Sequence, residues 1–191
     1  MNASVFQHLA ISPDFGAALA GLLLESRAQS VVEFGSGTST VIASYCLEQI
    51  GRGTLLSLDH DKRYAEVTCA QLREHRLDAI AHVRYAPLCP VTLPAGTWQW
   101  YDTSTVSLPR SIDLLIVDGP PMGVGALARY PALPMFYERL SESAIVVVDD
   151  ASRPDEQEMV KRWLKEYPAF THEFLPHEKG TVILRRMPGR G

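Results

Sequence analysis

The chain has 191 residues, of which 46% are hydrophobic and 21% charged, with a formal net charge of −4. This is the make-up of roughly one folded domain and excludes a disordered chain. The longest apolar stretch, Phe15 to Leu24, is too short to span a bilayer, and no Lys or Arg precedes Arg27 as a secretory signal would require. A cytoplasmic protein with no membrane span is therefore expected. The acidic balance gives no expectation of nucleic acid, since the only basic cluster is Arg185, Arg186 and Arg190 at the end of the chain. Cys46, Cys69 and Cys89 lack the paired spacing of zinc or redox motifs, and the six histidines form no ligand cluster.

In chain order, residues 1–28 read as an N-terminal helical segment. Val31 to Phe34 is a β-rich run broken by Gly35-Ser36-Gly37, followed by a helix with Val41, Ile42, Tyr45, Cys46 and Ile50 on one face. Thr54 to Leu58 is a second strand ending at Asp59. Asp61 then caps a helix whose apolar face carries Tyr64, Val67 and Leu72. His82 to Ala86 is a third strand. Residues 87–111, rich in Pro and holding Trp98, Trp100 and Tyr101, read as a long loop insertion containing an irregular ribbon or helical turn. Its aromatics either pack the loop down or wall an acceptor site.

Ile112 to Val117 is nearly continuous apolar sequence, as in a central strand buried on both faces. Asp118-Gly119-Pro120-Pro121 ends it. Pro131 opens a helix with Leu133, Phe136, Tyr137 and Leu140, and Ala144 to Val148 is another buried strand, ending at Asp149-Asp150. A helix with Met159, Val160, Trp163, Leu164 and Tyr167 follows. The strands Phe170–Leu175 and Thr181–Arg185 are joined too briefly for a parallel crossover, so they pair antiparallel. The expected architecture is one α/β domain over residues 1–191, a doubly wound sheet closed by an antiparallel hairpin.

In such sheets ligands bind beyond the carboxyl ends of the strands. Those ends carry Glu33, Asp59, Asp118, Asp149 and Asp150. Like charges brought together oppose their own ionisation, so something cationic should offset them: a metal, an arginine or a ligand. The glycine run lacks the third glycine of a dinucleotide fingerprint. The acid at Glu33, two residues before it, suits a cationic or amine-bearing ligand better than a pyrophosphate. Asp59 is placed to accept ribose hydroxyls, a feature that NAD and S-adenosylmethionine share. Glu33 tips the balance toward the sulfonium cofactor.

The segments Val31–Thr40, Leu56–Asp61, Ile112–Pro121, Arg129–Pro134 and Val146–Glu156, with Trp163, resemble the class I S-adenosylmethionine-dependent methyltransferases. More narrowly they resemble a small bacterial group with a Glu-x-Gly-Ser-Gly-Thr-Ser-Thr loop and an Asp-Gly-Pro-Pro strand end. The resemblance spans roughly residues 28–186 and implies a Rossmann-like sheet of seven strands, mostly parallel. It implies that Glu33, Gly35, Ser36, Gly37 and Thr38 line the methionine part of the cofactor. It further implies Asp59 at the ribose, His60 beside the adenosine, and Pro87 near the adenine. Asp118 also borders the cofactor and, with Asp149, is the expected catalytic pair.

Asp118, Asp149 and Asp150 look like the metal positions of catechol-type O-methyltransferases, with Asp150 in place of Asn, which would hold Mg²⁺ or another divalent cation. The competing version has no metal, and Arg129 or Arg153 pairs with the acids. The expected function is methyl transfer to a small molecule, at an oxygen, with a homodimer as the expected assembly. Its rivals are an NAD-dependent oxidoreductase and a non-catalytic cofactor-binding protein that keeps the fold.

Overall fold

The computed structural model describes residues 11–187; the first part of the 1–28 segment, and Arg190, lie outside the described residues. Helix α1 (Pro13–Ser26) packs on α2 (Thr38–Ile50). The strands β1 (Ser30–Phe34), β2 (Thr54–Asp59) and β3 (Ala81–Tyr85) alternate with α2 and α3 (Lys62–Glu74). Next come β4 (Leu88–Leu93), β5 (Gly96–Tyr101), β6 (Ile112–Val117), the short α4 (Ala132–Phe136), β7 (Leu140–Val148), α5 (Pro154–Glu166), β8 (Phe170–Leu175) and β9 (Thr181–Arg186). No helix among the described residues is long and apolar enough to cross a membrane.

Seven strands form one sheet in the order β3-β2-β1-β6-β7-β9-β8, the first five parallel and β9 antiparallel to both neighbours. The seven-stranded, Rossmann-like expectation holds. Strand order reverses at β1, which lies between β2 and β6, so a crevice opens at the carboxyl ends of β1 and β6. The central strands are mostly apolar because both faces are covered. Val32, Leu115, Val117, Val146 and Val148 point to one core with Phe34, Phe136 and Trp163. Val31, Leu114, Ile116, Ile145 and Val147 point to the other, with Phe15 and Leu19 of α1.

Four local expectations are corrected. Residues 88–101 form a regular antiparallel pair, Leu88 opposite Tyr101 and Leu93 opposite Gly96, where a loop with an irregular element was expected. Pro90 is accommodated because a two-stranded ribbon has free edges that need no proline N–H. The Pro131 helix lasts only from Ala132 to Phe136 before a 3₁₀ turn, Tyr137–Arg139, and Leu140 already belongs to β7. A register shift between Ile112 and Leu114 lets β7 start early, and the polar stretch after Leu140 hid this in the sequence. Tyr45 is exposed, because the buried face of α2 runs through Thr40, Ala43, Ser44 and Leu47. Val67 is also exposed, the buried positions of α3 being Ala65, Thr68 and Leu72.

Candidate active site

The crevice holds a cavity of about 520 Å³. Its floor is the contact between the turns after β1 and β6. Gly35 has φ +91°, and a Cβ there would lie 3.2 Å from the Asp118 carbonyl carbon, so glycine is required on both counts. The next turn is organised by side chains. The Gly37 N–H donates to Thr40 Oγ1 at 2.9 Å, and Thr40 Oγ1 donates to Glu33 Oε2 at 2.5 Å. Glu33 is fully buried beneath the loop and braces it from below, outside the cavity wall. Burial raises its carboxyl to about 7 against the hydroxyls of Ser39, Thr40 and Ser57, with the charge of Asp59 adding to the rise.

Asp59 joins the same loop from β2. Its Oδ2 accepts from the Ser36 N–H at 2.9 Å and the Ser36 hydroxyl at 2.6 Å, while Oδ1 accepts from the Asp61 N–H at 2.9 Å. His60 Nδ1 lies 3.6 Å from Asp59 Oδ1. Asp61 Oδ1 accepts from the N–H groups of Arg63 and Tyr64, capping α3 as its position suggested. Gly35, Ser36, Gly37, Thr38, Asp59 and His60 all line the cavity. Pro87 does not. It is exposed, and its carbonyl accepts from the Asp102 N–H while the Ala86 N–H donates to the Asp59 carbonyl, which directs the chain into the β4–β5 ribbon.

Asp118, Asp149 and Asp150 meet at the other end of the cavity, with one oxygen from each within 4.8 Å of the others. Arg129, almost fully buried, is inserted beneath them. It donates to the Asp149 carbonyl at 2.9 Å, the Asp118 carbonyl at 2.8 Å and Asp150 Oδ2 at 2.8 Å, and it lies 3.4 Å from Asp118 Oδ1. Arg153 adds a second ion pair to Asp150 Oδ2 at 2.9 Å. The arginine pairing foreseen as one version is thus present. The acids still exceed what the arginines satisfy, because Asp149 Oδ1 and Asp150 Oδ1 are buried with no hydrogen-bond partner. Burial, opposed by Arg129 and reinforced by Asp149 and Asp150, holds the Asp118 carboxyl well above the usual carboxylate range. Burial and Asp150 likewise raise Asp149.

Several wall residues escaped the sequence reading. Tyr64, Val67, Thr68 and Gln71 present one face of α3 to the cavity. Their spacing was visible, and the polar Thr68 and Gln71 within it were the sign that this face is not simply core. The aromatic cluster divides. Trp100 is packed wholly into the core, Trp98 stacks on Tyr130 at 4.7 Å, and Tyr101 reaches the cavity.

Among solved structures, the chain superimposes on a methyltransferase from Geobacter sulfurreducens with a TM-score of 0.68 at 17% identity, covering 93% of this chain and 80% of that one. The O-methyltransferase TomG from Streptomyces achromogenes, solved with S-adenosylmethionine, gives 0.65 at 18% identity over 94% and 82% of the two chains. An O-methyltransferase from Bacillus cereus, solved with S-adenosylhomocysteine, gives 0.66 at 15% identity over 93% and 83%. No curated protein matches in sequence. The family described as Methyltransferase domain matches residues 32–151, more than half of the chain and every acid at the strand ends, so this chain belongs to the methyltransferase-domain family.

Proposed function

We propose that this protein transfers the methyl group of S-adenosylmethionine to an oxygen of a small-molecule acceptor. The observation that carries this reading is the single cavity wall running from the Gly35–Asp59 loop to the Asp118–Asp149–Asp150 cluster. One end is a glycine turn beside a ribose-type acid, and the other is a carboxylate cluster able to act on an acceptor. The structural likeness to O-methyltransferases solved with S-adenosylmethionine or S-adenosylhomocysteine supports the same assignment.

Asp59 is the ribose acid, with His60 beside the adenosine. Gly35, Ser36, Gly37 and Thr38 hold the methionine portion, and Glu33 sets the loop from beneath. Methyl transfer is an in-line displacement, so the chain's first task is to fix acceptor oxygen and methyl carbon on one line. Its second is to remove or polarise the acceptor's proton. Asp118 lines the cavity at the acceptor end and is placed to take that proton, and Asp149 is its neighbour in the same carboxyl cluster.

The cluster also fits a divalent cation. Three hard oxygen donors converge, and the unpartnered Asp149 Oδ1 and Asp150 Oδ1 are the atoms that would turn to it. Asp118, Asp149 and Asp150 would hold the ion, which when bound lowers the pKa of an acceptor hydroxyl. Arg129 keeps the acids together in either case.

The test is transfer of a labelled methyl group from S-adenosylmethionine to a panel of phenols, catechols and aliphatic alcohols, with Mg²⁺ and with chelator. Labelled ether product from at least one class, abolished in Asp118→Asn, supports the reading. Cofactor binding with no transfer to any oxygen acceptor would reject the oxygen assignment.

A further inference from the structure

Tyr101 brings to the crevice a polar group with no task in the reading above. It closes β5, and its ring is locked in place: Phe34 stacks on it at 5.4 Å and Trp100 meets it edge-on at 5.0 Å. The residue is 1% exposed and lines the cavity, yet its hydroxyl has no hydrogen-bond partner.

The position of that hydroxyl is defined by the two turn glycines. A Cβ on Gly119 would collide with the Tyr101 hydroxyl and would lie 3.2 Å from the Cα and N of Gly35. The oxygen therefore stands over the point where the carboxyl ends of β1 and β6 touch, the place where strand order reverses. His60 faces the ring from the ribose side at 6.2 Å. Burial and the charges of Asp59, Asp118 and Glu33 all raise the phenol, with only Arg129 opposing, so it stays protonated and neutral. A neutral hydroxyl carries two acceptor lone pairs, and leaving them unmet in a buried site is costly unless a ligand supplies the partner. Asp59 and Asp118 line the same cavity, so the ligand part that settles here is a cation.

S-adenosylmethionine carries two cations, an α-ammonium that the product of transfer keeps and a sulfonium that it replaces with a neutral sulfide. The one next to the ribose, on the side from which His60 faces the Tyr101 ring, is the sulfonium. We propose that the Tyr101 hydroxyl distinguishes the methyl donor from its spent product, its oxygen facing the sulfonium above the Gly35–Gly119 contact. This rests on the S-adenosylmethionine reading. The ring aromatics hold the oxygen in place without help from the ligand, so discrimination needs no movement of the wall.

The experiment is calorimetric titration of the full chain and of Tyr101→Phe with S-adenosylmethionine and, separately, S-adenosylhomocysteine. The substitution removes one oxygen and keeps the buried ring. The expected result is a loss of about tenfold in affinity for the sulfonium, as for one charge-assisted contact, and less than about twofold for the sulfide. The ratio of the two constants on one sample is insensitive to the folded fraction, so partial unfolding of the variant does not obscure it. In turnover, the ratio of the product inhibition constant to the KM for the donor falls by the same factor. Equal losses for both ligands, or no loss for either, overturn the proposal. Failure of the unsubstituted chain to bind either ligand would instead overturn the cofactor reading on which it stands.

Discussion

The Arg129 guanidinium ties together the ends of two neighbouring strands, donating to Asp150 Oδ2 at 2.8 Å and to the backbone carbonyls of Asp118 and Asp149. It is the cation that makes a buried cluster of Asp118, Asp149, Asp150 and Glu156 tolerable, Glu156 lying 3.7 Å from its Nε. Breaking such a buried network by removing one partner typically costs about 3–5 kcal/mol. Arg129→Met should lose stability on that scale in urea unfolding at pH 8. The loss should be smaller at pH 5, where the freed acids can take up protons. Arg129→Lys should fall between, since an ammonium keeps the charge without the planar fork. A loss below about 1 kcal/mol for Arg129→Met at pH 8 would show that the cluster needs no internal cation.

Gly119 is held to glycine by Tyr101. Gly119→Ala drives a methyl group into the phenol oxygen and should destabilise the protein by about 1–3 kcal/mol. In the Tyr101→Phe background the collision with oxygen is gone, and part of that loss should return. A double-mutant cycle reads the coupling directly, with about 1 kcal/mol of recovery expected for residues in contact. Additive losses would mean that the two turns are not packed through this hydroxyl.

Glu33 gives stability a pH dependence of known sign. Its carboxyl titrates near 7 in the fold against 4.5 ordinarily. Between those values the unfolded chain releases the proton while the folded chain keeps it, so this group lowers stability as pH rises from about 4.5 to 7, and contributes no slope below that window. Glu33→Gln keeps a neutral, hydrogen-bonding side chain and should flatten that part of the curve. Melting temperatures of both proteins from pH 4 to 8 check it. A Glu33→Gln curve parallel to the wild type throughout would mean that Glu33 is ionised in the fold.

With Asp118, Asp149 and Asp150 as ligands, a divalent cation binds the folded state and should raise the melting temperature in proportion to the logarithm of its concentration. Thermal melts with 0 to about 10 mM Mg²⁺ or Mn²⁺ measure this. Asp149→Asn, which removes one of the two unpartnered oxygens' carboxylates, should largely abolish the shift. Absence of any shift with the native chain would leave Arg129 and Arg153 as the cluster's cations.

Where physical constraints were local, the sequence disclosed them. The glycine break after β1, the Asp61 cap and the nearly continuous apolar run of β6 each follow from neighbours in the chain, and the structure has all three. The acids at the strand ends were legible because a parallel sheet collects such ends on one edge. Long-range packing was not legible. Trp100 and Tyr101 sit side by side in sequence and both pack on Phe34, yet only Tyr101 reaches the cavity, a difference set by the packing of the β4–β5 ribbon on the sheet. Pro87 looked like a cavity residue only by analogy of position; the pairing of Leu88 with Tyr101 carries it outward. Arg129 was one of two candidate partners for the acids, and spacing alone could not show that it reaches the backbone carbonyls of Asp118, Pro120 and Asp149 as well.

The most direct test of the central claim is calorimetric titration of the purified protein with S-adenosylmethionine and with NAD, repeated on Asp59→Ala. Micromolar binding of S-adenosylmethionine alone, lost in the variant while its melting transition persists, is the result this account requires. Binding of NAD, or of neither ligand, would contradict it and leave a methyltransferase-fold protein whose crevice serves another molecule.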